Sequence, residues 1–144
     1  MNRLTSWNDK VVVITGASSG IGRLLAVRTA AEGAQVALVA RNSERLAQVE
    51  SEILARGGKA FHVVCDVADR DAVLRAADTV LQRCGRVDVL VNNAGYGRHL
   101  HFAEWDLDDM ERMIRVNLLG SVYWTKAVLP HLIARQTGWI VFIA

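Results

Sequence analysis

The chain has 144 residues, 51% hydrophobic and 6% aromatic, with 17 Lys plus Arg against 15 Asp plus Glu. That length suits one domain, residues 1–144, with a core filled mainly by Val, Ile, Leu and Ala. A net charge of +2 is too small for the footprint of a nucleic-acid binder, and one Pro with 11 Gly excludes a fibrous or disordered chain.

Residues 1–10 are polar and carry no secretion-signal core, and no apolar run approaches the roughly 18 residues that span a bilayer. Val/Ile-rich runs then recur at Val11–Thr15, Gln35–Ala40, 60–65, 87–91 and 139–144. They are continuous rather than alternating, the pattern of strands buried on both faces. Ser43 is the candidate cap of a helix whose apolar face is Leu46, Val49, Ile53 and Leu54. Arg56-Gly57-Gly58 supplies its basic last turn and glycine stop. Asp69 or Asp71 can start the next helix, with Val73, Ala77, Val80, Leu81 and Cys84 on one face and Gly85 at its end.

Asp106 is the candidate cap of the longest helical stretch. There Met110, Ile114, Asn117, Leu118, Ser121, Thr125 and Val128 share a face, and Pro130 is expected to kink or restart the helix. The order reads β-α-β-α-β-α-β-α-β with short connections and no internal repeat. Right-handed crossovers then give an α/β fold, a doubly wound parallel sheet with helices on both faces. Cys65 and Cys84 cannot build a disulfide framework and fit a reducing compartment, so a cytoplasmic protein is expected.

The most specific segment is Thr15-Gly16-Ala17-Ser18-Ser19-Gly20-Ile21-Gly22, where the first strand turns into the first helix. Glycines let a backbone approach a pyrophosphate, and a helix N-terminus offers free N–H groups and the positive end of its dipole. Ser18 and Ser19 add hydroxyl donors. A turn that merely packs helix on strand is the bland alternative, and the position directly after strand one speaks against it. The second strand ends Leu38-Val39-Ala40-Arg41-Asn42. An acid at that tip would bind the ribose hydroxyls of NAD, whereas an Arg accepts the 2′-phosphate of NADP through its planar fork. With no acid there and Arg41 in place, NADP(H) is expected over NAD(H). The same missing acid disfavours an S-adenosylmethionine methyltransferase.

The spacing Gly-x-x-x-Gly-x-Gly is followed by Asp66 after the third strand, Asn92-Asn93-Ala94-Gly95 after the fourth, and Asn117 in the long helix. This ordered set closely resembles the motifs of the short-chain dehydrogenases/reductases, over residues 10–144. The resemblance implies a Rossmann-type sheet of five strands in the order 3-2-1-4-5. It implies cofactor contacts from Gly16, Ser18, Ser19, Gly20, Ile21, Gly22 and Arg41. Asp66 would accept the adenine amino group, with the Val67 N–H facing the ring, and the adenosine ribose would lie against Asn93, Ala94 and Gly95. Asn92 is read as steadying the sheet.

The chemistry so implied is hydride transfer between a nicotinamide and a small carbonyl or alcohol substrate. In the family a Tyr moves the hydroxyl proton, a Lys lowers its pKa, a Ser positions the oxygen, and an Asn supports the Lys through a backbone-bound water. Of these, the Asn falls in this chain, as Asn117, where a local helix distortion would free a carbonyl for that water. The run 138–144 looks like the strand that leads into the catalytic Ser, and by this alignment the sequence stops one residue before it. The chain is therefore expected to be the cofactor-binding half of an oxidoreductase, truncated relative to the family, with little activity of its own. The parent enzyme is expected to be a homodimer or homotetramer, and the bare outer strand predicts association of the 144 residues alone. The alternative is a non-catalytic or vestigial NADP-binding module that ends naturally at residue 144.

Tyr123 and Lys126 stand three apart rather than the family's four and are read as helix packing and a solvated charge. No metal is expected, because His99 and His101 have no Cys or acidic partner at ligand spacing. With Tyr96, Arg98 and Trp105 they occupy the loop that borders the substrate pocket in the family.

Overall fold

In the computed structural model, which describes residues 4–144, the apolar runs become five parallel strands. These are β1 (Val11–Thr15), β2 (Gln35–Ala40), β3 (Lys59–Val64), β4 (Val89–Asn92) and β5 (Trp139–Phe142). The part of the reading that concerns residues 1–3 lies outside the described residues. The strands pair in the order β3-β2-β1-β4-β5, as expected, with Val12 opposite both Val36 and Val89. Between them run α1 (Gly20–Ala31), α2 (Ser43–Ala55), α3 (Arg70–Cys84), α4 (Leu107–Ile114) and α5 (Gly120–Arg135).

The period of two along a strand divides the core into two layers. Val12, Ile14, Val36, Leu38, Val89 and Val91 pack in one layer with Ala26 and Ala30 of α1 and Leu46, Val49 and Ile53 of α2. Val13, Ala37, Val39, Phe61 and Leu90 pack in the other with Val73 and Val80 of α3 and Trp124 and Val128 of α5. Each fully buried Val, Leu or Ile contributes about 1.5–3 kcal/mol relative to exposure. The continuous Val/Ile runs are thus the direct cause of the three-layer architecture.

Several boundaries differ from the sequence reading. Asn42, not Ser43, caps α2: its backbone is extended and its Oδ1 accepts the Arg45 N–H at 2.8 Å. Leu54 is 50% exposed and lies outside that helix's buried face. Asp69 rather than Asp71 caps α3, its Oδ1 accepting the Asp71 and Ala72 N–H groups at 2.9 and 3.0 Å. Gly85 closes that helix at φ +72. Asp106 caps α4 through the Asp109 N–H at 2.7 Å. β3 starts at Lys59, and β5 ends at Phe142, although Ile143 N–H still donates to Asn92 O at 2.9 Å.

The long helix departs furthest. α4 ends at Ile114, Arg115–Leu119 wind as a π turn, and α5 passes through Pro130 without restarting. The break therefore falls at Asn117, not at Pro130. Pro130 sits on the exposed side, where the carbonyl left without a donor meets water. The wider turn shifts the buried face to Val116, Gly120, Trp124, Val128 and Leu132. Of the residues expected to share the apolar face, Ile114 is 53% and Leu118 58% exposed, whereas Val128 is buried. Gly120 is required here, since a Cβ would stand 2.9 Å from the Val67 side chain and 3.0 Å from its carbonyl oxygen.

β4 begins at Val89, two residues late, because residues 86–88 are drawn into an ion network at the amino ends of the strands. The Asp88 carboxylate, 6% exposed, accepts the Val11 N–H at 2.8 Å, Arg86 Nε at 3.0 Å and Arg135 Nη2 at 2.8 Å. Arg135 Nη1 also donates to Val87 O, and Arg86 Nη2 to Asp9. Burial pushes the Asp88 carboxyl up, but the Val11 N–H, Arg135 and Arg86 outweigh it and hold the group below the usual carboxylate range.

Candidate functional site

At the opposite, carboxyl ends of the strands lies a cleft of about 750 Å³. Its floor is organised by Thr15, the last residue of β1. The buried Thr15 hydroxyl accepts the Asn93 and Ala94 N–H groups at 3.0 and 2.9 Å, and the Asn93 amide donates to Thr15 O at 2.9 Å. The turn after β1 is thereby tied to the turn after β4. Gly16 and Gly20 hold φ values of +67 and +54, which side-chain-bearing residues rarely adopt. Gly22 faces Gly16: a Cβ on it would stand 2.5 Å from both Gly16 O and Asn93 Nδ2.

The structure brings together most of the residues singled out from sequence. Gly16, Ser18, Ser19 and Ile21 line the cleft from the glycine turn, and Arg41 lines it from the end of β2. Asp66 and Val67 follow β3, and Asn93, Ala94 and Gly95 follow β4. Gly20 and Gly22 shape the turn from behind without lining it. Asn92 is buried below, its Nδ2 donating to Thr125 Oγ1 at 3.2 Å.

Asn117 lies apart from this cleft, on the π turn. Placed by the sequence on the shared face of its helix, it is exposed, and its partners are backbone groups of the loop after β4. Its Oδ1 accepts the Tyr96 N–H at 2.7 Å and its Nδ2 donates to Tyr96 O at 2.9 Å. It lines a second, largely apolar depression of about 680 Å³ with Leu118, Ser121, Val122 and Phe142, and Ala94 and Gly95 border both. Tyr123 and Lys126 diverge: Tyr123 packs against the core, whereas Lys126 is exposed beside this second depression. His101 caps the short turn Phe102–Glu104 and, like His99, is exposed.

Sequence reasoning missed four contributors. Arg45 joins Arg41 and Asn42 in the cleft wall, and its distance of four residues from Arg41 was the available signal. Arg112 of α4 pairs with Asp66 Oδ2 at 3.1 Å, while Asp66 Oδ1 accepts the Ala68 N–H at 3.0 Å. Asp109 accepts the Tyr96 hydroxyl at 2.9 Å and also pairs with Arg98. The bond to Asp109 pushes the Tyr96 phenol up, and Tyr96 with Arg98 holds the Asp109 carboxyl down. Cys65 lies under the cleft wall, and burial followed by the charges of Asp66 and Asp69 pushes its thiol up to about 12.

The donor set suits an extended polyanion. The two close glycines let a diphosphate reach the backbone, and the 12-residue α1 points its amino end at the same place, with Ser19 making no capping bond. Neither Arg41 nor Arg45 has a carboxylate partner among the described residues.

The sheet order and the cleft outside its carboxyl ends define a Rossmann-type α/β protein. Residues 10–144 match the family described as short chain dehydrogenase, and the chain belongs to that family, the short-chain dehydrogenases/reductases. It is 41% identical to a fatty acyl-CoA reductase of Acinetobacter baylyi over 137 residues, 94% of this chain and 46% of that protein. A metagenomic short-chain oxidoreductase solved with NADP superimposes with a TM-score of 0.92 at 40% identity, over 97% of this chain and 64% of the other. An NAD+-bound xylitol dehydrogenase gives 0.89 at 36% identity, over 94% and 53%. The chain spans about half the length of the curated relatives it matches.

Proposed function

We propose that the cleft binds NADP(H) and that, in a protein of its relatives' length, it serves an oxidoreductase acting on a small carbonyl or alcohol substrate. The observation that carries the cofactor choice is Arg41 at the tip of β2, in the cleft wall, with no acid beside it. A guanidinium there favours a 2′-phosphate, and an acid would have favoured the free ribose hydroxyls.

In this reading Gly16 and Gly22 admit the diphosphate to the backbone, and Ser18, Ser19 and the first N–H groups of α1 hold it. Asp66 accepts the adenine amino group, with the Val67 N–H beside the ring. Asn93, Ala94 and Gly95 present a wall low enough for the ribose to lie on. The nicotinamide, when bound, supplies the site for hydride exchange. Asn117 fixes the loop after β4 through the Tyr96 backbone and supports the proton relay from the π turn, where its carbonyl accepts the Ser121 hydroxyl at 3.4 Å. The longer protein acts as a homodimer or homotetramer in the cytoplasm; among the described residues no helix is long and apolar enough to cross a membrane.

Titration with NADPH and NADH tests this. NADPH binds about tenfold or more tightly than NADH, and Arg41→Ala removes most of that preference, the worth of one charged hydrogen-bonded contact. Equal affinity for the two cofactors in the unaltered protein would overturn the assignment.

A further inference from the structure

The chain leaves β2 at Ala40 and enters α2 at Ser43, so two residues make the whole connection. Asn42 Oδ1 accepts the Arg45 amide at 2.8 Å, which fixes the first turn of α2 against the strand end. Of the first three α2 residues this turn presents Arg45 to the cleft beside Arg41 and Asn42, and not Ser43 or Glu44. Two guanidinium groups therefore share one rim.

Several arginines outside this rim are paired with carboxylates. Arg23 and Arg56 share Glu52, Arg98 pairs with Asp109, Arg112 with Asp66, and Arg86 and Arg135 with Asp88. Arg41 and Arg45 have no such partner among the described residues. Two cationic residues on one rim, next to the positive end of a 13-residue helix, suit an anion placed between them.

A phosphate monoester carries a charge of about −1.5 to −2 at neutral pH, more than one guanidinium balances, and its three free oxygens accept two forks at once. We infer that Arg45 is a second specificity-determining residue, sharing the 2′-phosphate of NADP(H) with Arg41. This rests on the reading that the cleft takes NADP(H). It assigns the discrimination to a pair of cations held in register by the Asn42 cap. Cofactors without the phosphate gain nothing from Arg45.

The test is calorimetric titration of the chain and its Arg45→Ala, Arg45→Lys and Arg41→Ala variants with NADPH and NADH. Adenosine 2′,5′-bisphosphate and adenosine 5′-phosphate serve as fragments that isolate the phosphate. Arg45→Ala is expected to weaken NADPH and the bisphosphate about tenfold, to move NADH and adenosine 5′-phosphate less than about twofold, and to flatten the salt dependence of NADPH binding. Arg45→Lys recovers part of the loss, because the charge returns without the fork. The Arg45 side chain is exposed, so melting temperatures report that the fold is intact. Equal weakening of all four ligands, or of none, overturns the inference. If Arg41→Ala erases the NADPH preference and Arg45→Ala preserves it, Arg41 acts alone and the cofactor assignment survives. If the unaltered chain shows no preference, both fall together.

Discussion

Asp88→Ala is expected to destabilise the chain by about 3–5 kcal/mol, enough to lower the melting temperature by about 10 °C or more. The magnitude follows from burial. An exposed Arg–carboxylate pair is worth about 0–1 kcal/mol, because water and salt screen it. Asp88 is 6% exposed and serves three donors from three places in the chain: Val11 at the start of β1, Arg86 before β4 and Arg135 at the end of α5. Its removal leaves a buried N–H without an acceptor, takes the carboxylate from Arg135, and leaves Arg86 with the exposed Asp9 alone. Urea unfolding at neutral pH measures the loss.

The network also predicts how stability depends on pH. Asp88 is a stronger acid in the folded chain than in the unfolded one, so its contribution is fully present above the ordinary value of 3.8. It is lost as pH falls below that value and through the lower folded-state one. In Asp88→Asn this acid limb is weaker, while the variant keeps an oxygen for the Val11 N–H. An acid limb as steep in the Asn variant as in the parent would show that the charge on Asp88 is not what the arginines hold.

Gly22→Ala acts at the other end of the sheet and is expected to abolish cofactor binding, by about 100-fold or more, while the chain still folds. The added Cβ would stand 2.5 Å from Gly16 O, a backbone atom that no rotamer change can move aside. Either α1 shifts outward or Gly16 leaves its φ of +67, and both move the N–H groups that face the diphosphate. The overpacking costs about 1–3 kcal/mol of stability. Gly97→Ala is the matched control, since nothing lies within 4 Å of a Cβ there and that variant should bind as the parent does. NADPH affinity near the parent's in Gly22→Ala would mean that the helix and turn adjust independently of the site.

What the sequence made legible is what local pattern determines. Continuous Val/Ile runs identify doubly buried strands without further context, and the glycines of Thr15–Gly22 mark the tight turn after β1, where Gly16 and Gly20 take positive φ. Asp106 announces itself as a cap because it precedes a periodic helix, whereas Asp69 and Asp71 are equal candidates until the structure chooses Asp69. The choice between Asn42 and Ser43 is not legible in this way: both side chains can cap, and the backbone conformation at Asn42 decides. The resemblance implied a helix distortion at Asn117, but not its π geometry, which moves the buried face from Ile114 and Leu118 to Val116 and Gly120. The ionic partners were out of reach for another reason. Asp66 meets Arg112 across 46 positions and Asp88 meets Arg135 across 47, and only the folded sheet brings such pairs together.

The fourth helix binds to the rest of the molecule in an unusual way. It fully buries none of its eight residues. It is held instead by Arg112 on Asp66, by Asp109 on Tyr96 and Arg98, and through the neighbouring π turn by Asn117 on the Tyr96 backbone. Apolar packing tightens as water is warmed from the cold, whereas exposed ionic ties loosen as salt is added. Ionic strength is therefore the natural lever on this helix. It forms a clasp that touches both Asp66 in the wall of the first cleft and the loop beside the second depression, so opening it would loosen both walls together, with the sheet beneath undisturbed.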